Sequence, residues 1–444
     1  MKTSESPLHL DVAVANLAHV LEFAEEIDHA LLIEDTVGRI SVGIWSDNAC
    51  AVSEEVLREA GGSFFSGSIF QAGDAASSIV GLEEAWTASL PVFQNGQELS
   101  KVRRVVRFRT LTSWQYQQNP LWGFDDGPAI VVFYSYKGGL GRTTTLTSFA
   151  IQRARMGDRV AILDLDFEAP GLDLLGRHCE PTPSYGIVDY LLEVNQLESA
   201  PTLADYSATV AHPDLVGTGS ITLFPAGDQN TEYLGKVSRI DLEWELARES
   251  GFKHPLERLL IQLKEELQLD WILIDSRTGF SEVSGLLLSG FAHLHVLFGL
   301  QSQQSWSGLS RVVAKLGEER LERDLPQSDA FLVQAMLQDK PSQDRFEEEA
   351  EIVFTEHYYV GSEDDDDSEL EAHEPHGVED IDLLDFESDD APHKPQGIPY
   401  LPAFSQEIDL TDSVKLRALL GGEYREVASR IARRTGRKEQ DGQD

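Results

Sequence analysis

Positively charged residues are scarce in this sequence. The 444 residues include 36 Lys and Arg against 76 Asp and Glu, which gives a formal net charge of −40. A charge this negative favours solubility and repels phosphate backbones and anionic membranes over long distances. It does not exclude a local basic patch.

Cysteine is also rare, with only Cys50 and Cys179 in the chain. They lie far apart and match no zinc or iron–sulfur spacing, which favours two ordinary thiols in a reducing cytosol. No apolar run approaches the roughly 20 residues that span a bilayer. The first residues, MKTSESPLHLDV, lack the basic start and apolar stretch of a signal peptide. We therefore expect a soluble, cytoplasmic protein.

Residues 1–111 have the pattern of a small N-terminal α/β domain, and they carry no recognisable chemical motif. The basic residues Arg103, Arg104, Arg107 and Arg109 could form a patch, but a solvated strand face is the favoured interpretation. Residues 112–128 are polar, aromatic and turn-rich, which is typical of a linker. The spacing of apolar residues predicts helices at Val14–Ile27, Ser53–Ala60 and Ala75–Ala88, and strands at Arg39–Ile44 and Val102–Leu111.

A second and larger α/β pattern begins at residue 129. Apolar runs rich in β-branched or aromatic residues recur there, and helical stretches lie between most of them. Continuous apolar strands that alternate with helices indicate a mostly parallel sheet covered on both faces by helices. The runs are Ala129–Tyr134, Val160–Leu165, Ile221–Phe224, Trp271–Ile274, Leu294–Leu300 and Phe331–Leu337.

A strongly acidic segment interrupts this pattern. Between Glu347 and Asp390 there are 20 acidic residues and no Lys or Arg. Such a segment is too charged and too poor in core residues to fold alone. We therefore predict a core at 129–345, a flexible acidic insert at 346–396, a returning C-terminal part at 397–436 that includes a helical stretch at Leu410–Arg434, and a tail at 437–444.

A glycine-rich loop provides the strongest functional signal. The strand Ile130–Tyr134 runs into Lys137–Thr144 (KGGLGRTT), and Leu146–Ala154 has helical spacing. Glycines let the backbone wrap around phosphates with several N–H groups pointing inward, and the following helix adds its positive N-terminal end. Thr143, at the Ser/Thr position of a P-loop, would place its hydroxyl on Mg²⁺. The usual P-loop lysine position holds Arg142, which keeps the positive charge but is bulkier, so nucleotide binding is a firmer prediction than turnover.

This motif resembles the KGGxGKTT signature of the ParA/MinD family, the deviant Walker A (SIMIBI-class) P-loop ATPases, in a KGGxGR variant. VAILDLD at Val160–Asp166 resembles the second strand of that family, and Leu273–Asp275 resembles its Walker B strand. Phe224–Asp228 (FPAGD) and Ile398–Tyr400 (IPY) resemble two further family loops. The resemblance covers about residues 128–345 and 397–435.

The resemblance implies a role for each matching residue. Lys137 would be the signature lysine that reaches across an ATP-dependent homodimer to the partner's nucleotide. Asp166 would orient the attacking water, Asp164 would assist with Mg²⁺ or proton relay, and Asp275 would hold Mg²⁺ through a water. Pro399 would border the base. The remaining nucleotide-binding residues would be those of the loop: Gly138, Gly139, Leu140, Gly141, Arg142, Thr143 and Thr144.

Two loops depart from the family pattern. Asp166–Gly171 (DFEAPG) stands where many members have Asp-Pro-Gln, and Asp275–Gly279 (DSRTG) stands where many have Asp-x-Pro-Pro. These loops lie near the γ-phosphate in the family. Arg277 could contact phosphate or a partner, or it could form a salt bridge. The combined motifs resemble a coherent branch of regulatory ATPases fused to other modules in bacterial signalling or conflict systems.

The resemblance favours an ATP-driven dimerisation switch, with the N-terminal domain or the acidic insert engaging a protein partner. A non-hydrolysing nucleotide sensor or scaffold is the alternative that Arg142 favours. DNA positioning of the ParA kind would need a basic surface, and stable MinD-like membrane anchoring is disfavoured because too few bulky apolar residues follow Tyr424. DLDFEAPGL also resembles the second motif of bacterial tyrosine kinases, which carry a C-terminal tyrosine cluster. That interpretation ranks third, since Tyr424 is the only tyrosine in residues 410–444. The basic residues available for DNA are Arg425, Arg430, Arg433, Arg434, Arg437 and Lys438, which could instead neutralise the acidic insert of the same chain.

Overall fold

The chain forms two compact units, Met1–Arg109 and Thr110–Asp444, in a computed structural model. Each unit has hydrophobic core clusters of its own. The residues that the structure describes are 9–35, 38–46, 52–73, 82–87, 89–94, 97–106, 120–123, 125–181, 185–194, 197, 200–229, 232–240, 255–321, 328–359, 386, 388–401 and 409–437.

The first unit is a five-stranded mixed sheet with helices, in the strand order β3-β2-β1-β5-β4. Strands β1 and β5 pair in parallel, whereas β1 with β2 and β4 with β5 are antiparallel. The elements are α1 (Leu10–Glu22), β1 (His29–Glu34), β2 (Ile40–Trp45), α2 (Glu54–Gly61), β3 (Phe65–Gln71), α3 (Leu82–Thr87), β4 (Leu90–Gln94) and β5 (Gln97–Val106).

The arginines of β5 do not form the basic patch that the sequence left open. Successive side chains of a strand point to opposite faces of the sheet. Arg103 donates to Ser89 Oγ at 2.8 Å and to the Ser89 carbonyl at 2.6 Å, while Arg104 forms an ion pair with Glu34. Arg107 and Arg109 lie outside the described residues. The described part of β5 therefore presents paired arginines on two faces.

The second unit is built on a nine-stranded sheet, in the order β14-β13-β12-β6-β11-β7-β10-β9-β8. All neighbours from β14 to β10 pair in parallel, and only the short β9 and β8 are antiparallel. The strands are β6 (Ala129–Ser135), β7 (Arg159–Leu165), β8 (Cys179–Glu180), β9 (Ala208–Val210), β10 (Ser220–Phe224), β11 (Trp271–Ser276), β12 (Leu294–Gly299), β13 (Asp329–Leu337) and β14 (Gln396–Pro399).

Helices cover both faces of this sheet, so the predicted fold class is confirmed. Every residue of β6 is buried, and its alternate side chains belong to different core clusters. The fully apolar strands of the sequence follow from this arrangement, because neither face meets water. The helices are α4 (Arg142–Arg155), α5 (Asp173–Gly176), α6 (Ile187–Glu193), α7 (Pro213–Val216), α8 (Pro255–Glu266), α9 (Glu282–Leu287), α10 (Gln303–Leu321), α11 (Lys340–His357), α12 (Ser413–Leu419) and α13 (Gly422–Arg434).

Part of the predicted linker 112–128 is packed into the second unit. Trp122 is buried, its indole N–H donates to the Pro128 carbonyl at 2.8 Å, and its own carbonyl accepts from His293 Nε2 at 2.8 Å. The turn-rich composition suggested an exposed linker. Burial of the large Trp122 side chain removes much apolar surface from water, and this stabilises the packed conformation of the segment.

The acidic segment also begins later than predicted. Helix α11 runs to His357, eleven residues past the predicted start of the insert at 346. Its apolar residues Phe346, Ala350, Val353 and Phe354 are buried, so a packed face holds the helix in spite of the acidic side chains on the other face. Residues 360–385, the most acidic part of the predicted insert, lie outside the described residues.

The predicted helical stretch Leu410–Arg434 is two helices, α12 and α13. The chain turns between them at Gly422, whose φ of 52° is in the left-handed region that glycine adopts most easily. None of the helices in the described residues is both long enough and apolar enough to cross a membrane.

Candidate functional site

The glycine-rich loop connects the buried strand β6 to helix α4 at the carboxyl end of the parallel sheet. Gly139 and Gly141 have φ values of 75° and 82°, a conformation in which a side chain would be strained. Gly141 caps the helix, and the first intrahelical bond is donated by Thr145 N to the Gly141 carbonyl at 2.9 Å. The amides of the first helical turn are therefore directed toward the loop, where they can bind an anion.

Thr143 and Asp275 meet directly beside this loop. The Thr143 hydroxyl donates to Asp275 Oδ2 at 2.5 Å. Asp275 lies at the end of β11, next to β6 in the sheet, and its side chain is fully buried. Burial raises the pKa of Asp275 to about 6, against the opposing effects of the Arg142 charge and the Thr143 hydrogen bond. The sheet thus brings together two residues that are 132 positions apart in sequence.

Asp164 and Asp166 complete a cluster of acidic side chains. Asp164 is opposite Asp275 in the pairing of β7 with β11. Its oxygens accept from Asp166 N and Gly171 N, both at 3.2 Å. Burial, together with the nearby charge of Asp275, raises the pKa of Asp164 well above its usual range. Asp164, Asp166 and Asp275 therefore lie at the carboxyl ends of the neighbouring strands β7 and β11.

Arg142 is buried among these carboxylates. Its Nη2 donates to Asp166 Oδ2 at 3.0 Å, its Nε lies 3.8 Å from Asp275 Oδ1, and its Nη1 donates to the Ser276 carbonyl. The sequence placed Arg142 among the nucleotide-binding residues of the loop. In the structure its contacts are to the acidic cluster, where it offsets part of the carboxylate charge.

The two loops that depart from the family pattern contact each other. Arg277 forms an ion pair with Glu168, so the salt bridge is the alternative that the structure realises for Arg277. A Cβ added to Gly171 would lie 3.3 Å from the Thr143 hydroxyl. Both loops therefore border the position of Thr143, and the role of Glu168 was missed although the unusual DFEAPG sequence pointed to it.

A cavity of about 390 Å³ opens between the glycine-rich loop and the end of β14. Pro399 lines this cavity together with residues 139–144 of the loop and the start of α4. Met336 also lines it, with a φ of 55° where β13 and β14 lose register. Tyr424 is a further lining residue, which the helical spacing of the C-terminal region did not single out.

Lys137 stands apart from the acidic cluster. Its backbone carbonyl accepts from the Ser135 hydroxyl at 2.6 Å. Its side chain is half-buried, and its ammonium group makes no ion pair within the described part of the chain. Binding of an anion by the Lys137 ammonium would therefore not require an ion pair with a described carboxylate to break.

The chemistry of the cluster fits a magnesium ion that arrives with a nucleotide. Asp275 Oδ1 is buried without a hydrogen-bond donor, and the Thr143 hydroxyl lies on the other oxygen of the same carboxylate. Across the residues that the structure describes, no group of three or more His, Cys, Asp or Glu side chains forms a protein-only metal cage. Mg²⁺ typically keeps several waters and takes one or two protein ligands together with phosphate oxygens, so the fit is to Mg-nucleotide.

The C-terminal arginines are largely used within the unit. Arg430 binds the backbone carbonyls of Asp390, Ala391 and Lys394, and its Nε lies 2.8 Å from Asp390 Oδ1. Arg434 forms an ion pair with Asp329 at 2.6 Å. Lys438 lies outside the described residues. The sequence left two roles open for these arginines, DNA binding and contact with the acidic insert. In the structure, Arg430 contacts Asp390 at the end of the acidic segment.

The site as a whole is a glycine-rich loop and an acidic cluster at the carboxyl edge of a parallel α/β sheet. No family model matches the chain. The chain is 37% identical over 71 residues to the septum site-determining protein MinD of Synechocystis sp. (strain ATCC 27184 / PCC 6803 / Kazusa). That match covers 16% of this chain and 26% of MinD, so the chain spans about a quarter of the length of its curated relative.

The solved structures that are similar to the chain include ParA/MinD-family proteins. The structure of pNOB8 ParA bound to nonspecific DNA has a TM-score of 0.42 and 15% identity, and covers 70% of this chain and 99% of that one. A putative plasmid partition protein of Borrelia burgdorferi B31 bound to AMPPNP has a TM-score of 0.42 and 15% identity, with 69% and 99% covered. The MinD match agrees with the resemblance seen in KGGLGRTTT.

Proposed function

We propose that this chain is a nucleotide-dependent molecular switch of the ParA/MinD kind, which binds ATP with Mg²⁺, dimerises around the nucleotide and hydrolyses it. The observation that carries the proposal is the 2.5 Å contact between Thr143 and Asp275 beside a loop with Gly139 and Gly141 in left-handed conformations. A hydroxyl on a buried carboxylate at the start of a phosphate-facing helix is the arrangement in which P-loop proteins hold Mg²⁺.

The proposed roles follow from the positions of the side chains. The loop amides and the start of α4 would bind the phosphates, and Pro399 would border the base at the far side of the cavity. Thr143 and Asp275 would hold Mg²⁺, whose bound form supplies charge neutralisation of the phosphates. Asp164 supports the geometry through its bonds to the backbone of the 166–171 loop.

Hydrolysis would depend on Asp166 and dimerisation on Lys137. Asp166 would accept a hydrogen bond from the attacking water once Arg142 yields its place on the carboxylate. Lys137 would reach the nucleotide of a second subunit, as the resemblance to ParA/MinD proteins implies. Its side chain makes no ion pair within the described residues, so it is available for that contact. A cation that arrives only when the dimer closes couples dimerisation to the presence of nucleotide.

Solution mass tests the switch. We expect light scattering to find a monomer without nucleotide and with ADP, and a dimer with Mg-ATP. The variant Lys137→Ala should remain monomeric in all three conditions while still binding nucleotide. A mass that is the same in every state would remove the cross-dimer role of Lys137.

A non-hydrolysing nucleotide sensor is the second candidate, and the ion pair between Arg142 and Asp166 favours it. A carboxylate held by a buried guanidinium at 3.0 Å is less available to a water than a free one. Phosphate release separates the two functions. Turnover in the wild type that Asp166→Ala lowers by about a hundredfold or more supports the enzyme. Intact ATP binding with no turnover in the wild type supports the sensor.

The partner would be a protein engaged by the first unit or by the acidic segment, in a bacterial signalling or defence system. DNA positioning is less favoured, because Arg430 and Arg434 are occupied by carbonyls and carboxylates of the same unit. An ATP-dependent, salt-sensitive gel shift would revive the DNA alternative, and its absence at low salt would remove it.

A further inference from the structure

The ion pair between Arg277 and Glu168 joins the two loops that follow β11 and β7. The side chain of Arg277 is 33% exposed and that of Glu168 is 53% exposed. Water competes for both partners at this exposure, so a pair of this kind contributes little to stability and exchanges partners easily. Arg142, in contrast, is 8% exposed and holds Asp166 and the Ser276 carbonyl.

The backbone on both sides of Arg277 is held against the glycine-rich loop. The carbonyl of Ser276 accepts from Arg142, and Gly279 N donates to the Ser135 carbonyl at 3.3 Å. A Cβ added to Gly138 would lie 4.0 Å from the Thr278 side chain. The backbone of Arg277 is therefore fixed beside the glycine-rich loop. Its long side chain can still exchange Glu168 for another anion.

Charge determines the direction of such a change. The three aspartates of the cluster face one buried cation, Arg142, whose Nη1 and Nη2 already donate to the Ser276 carbonyl and to Asp166. A polyphosphate in the glycine-rich loop would add negative charge beside the 166–171 loop, whose Gly171 borders Thr143. That charge would repel the Glu168 carboxylate and attract the mobile cations nearby, Lys137 and Arg277. A guanidinium matches phosphate oxygens through two parallel donors, which an ammonium cannot do.

We propose that Arg277 leaves Glu168 and binds the γ-phosphate of ATP within the same subunit, so that the exchange of partner distinguishes ATP from ADP. The inference rests on the proposed binding of nucleotide and adds a specificity residue to it. Glu168 acts as the competitor that holds Arg277 away when the terminal phosphate is missing.

Calorimetric titration of the full chain with Mg-ADP and with Mg-ATPγS tests the exchange. Arg277→Ala should weaken ATPγS binding by about tenfold or more and change ADP binding by less than about twofold. Glu168→Gln should tighten ATPγS binding severalfold, since it removes the competing carboxylate. Arg39→Ala, which removes an exposed arginine from an ion pair with Asp35 in the first unit, is the matched control and should change neither affinity.

A double variant distinguishes partner exchange from a purely structural ion pair, because only exchange predicts that the two substitutions affect ATPγS affinity in a coupled way. In the background of Arg277→Ala, Glu168→Gln should no longer tighten ATPγS binding. If Arg277→Ala changes both affinities equally, or neither, the pair is a structural tie and the inference is overturned. If the wild type binds neither nucleotide, the proposed function fails together with the inference, and the two failures are thereby distinguished.

Discussion

Burial of Asp275 disfavours its charged form, and the neighbouring side chains offset only part of this effect. The carboxylate is fully buried, and the Arg142 charge and the Thr143 hydroxyl leave its pKa at about 6. Asp164 lies opposite it and has a raised pKa for the same reason, with the Asp275 charge as the second cause. One guanidinium offsets part of this charge, and a divalent cation with its nucleotide would offset the rest.

His295 provides a test of burial at the scale of one side chain. It is fully buried on β12, donates from Nε2 to the Leu287 carbonyl at 3.0 Å, and contacts Ser328 Oγ through Nδ1 at 2.8 Å. Burial lowers the pKa of His295 to about 4, mainly because the charged form is desolvated. The unfolded chain therefore binds a proton at a higher pH than the folded chain, so stability is present above pH 6.5 and lost as the pH falls toward 4.

We expect this histidine to cost about 2 kcal/mol of unfolding free energy between pH 7 and pH 5. Denaturant unfolding of the wild type and of His295→Gln at both pH values measures it. The variant should lose less stability than the wild type over this range by about that amount. Equal losses in the two proteins would show that His295 does not titrate on unfolding.

The packing of helix α10 beside the glycine-rich loop requires a small residue at position 308. A Cβ on Gly308 would lie 2.2 Å from the ring of Tyr136, the residue directly before the glycine-rich loop. The same ring packs on Phe280 with centroids 5.0 Å apart. The absence of a side chain at Gly308 therefore allows α10 to pack closely against Tyr136.

Gly308→Ala should destabilise the second unit by about 1–3 kcal/mol, because the tyrosine ring has to move or the helix has to shift. It should also weaken nucleotide binding, since the displaced residue directly precedes the glycine-rich loop. Gly235→Ala is the matched control, because Gly235 also lies in a helical stretch and a Cβ there meets nothing within 4 Å. It should be neutral or stabilising by up to about 1 kcal/mol. Similar losses in both variants would contradict the role given to Tyr136.

Helix α13 closes the second unit through arginines rather than through apolar contacts alone. Arg430 is nearly fully buried, and it binds three backbone carbonyls in the segment that leads into β14. Burial lowers the pKa of Arg430 to about 10, a cost that Asp390 partly offsets. These contacts place Pro399 and the cavity wall, so residues outside the motif support the candidate site.

At the scale of the whole molecule, the separate cores predict two unfolding transitions. The first unit buries a cluster around Leu17 and Leu32, and the clusters of the second unit lie on the two faces of the nine-stranded sheet. A nucleotide that binds only the second unit stabilises only that unit. At about one hundred times its Kd it should add about 2.7 kcal/mol to that unfolding step.

Differential scanning calorimetry of the full chain with and without Mg-ADP measures this effect. One transition should rise in temperature and the other should stay in place. Leu17→Ala, which removes a buried side chain from the first unit, should lower only the transition that nucleotide leaves unchanged. A single transition that shifts with either change would show that the two units unfold together.

Much of the fold and site follows from local pattern. The buried strands around Ala129, Val160 and Trp271 were predicted within two residues of their observed ends, because strands covered on both faces must be continuously apolar. The amphipathic face of α11 was missed, since 346 was set as the boundary on charge alone. Trp122 was missed because its turn-rich neighbours outweighed one aromatic residue.

The sequence by itself determined the parallel α/β architecture, the glycine-rich loop at 137–144 and the aspartates that lie beside it. Apolar periodicity and glycine placement act over short stretches of chain, so they can be identified without coordinates. Only the tertiary structure decided that Arg142 turns to Asp166, that Arg277 pairs with Glu168, and that Tyr424 borders the cavity. These choices depend on which side chains the sheet brings within reach, and each arginine had several acidic partners available in the sequence.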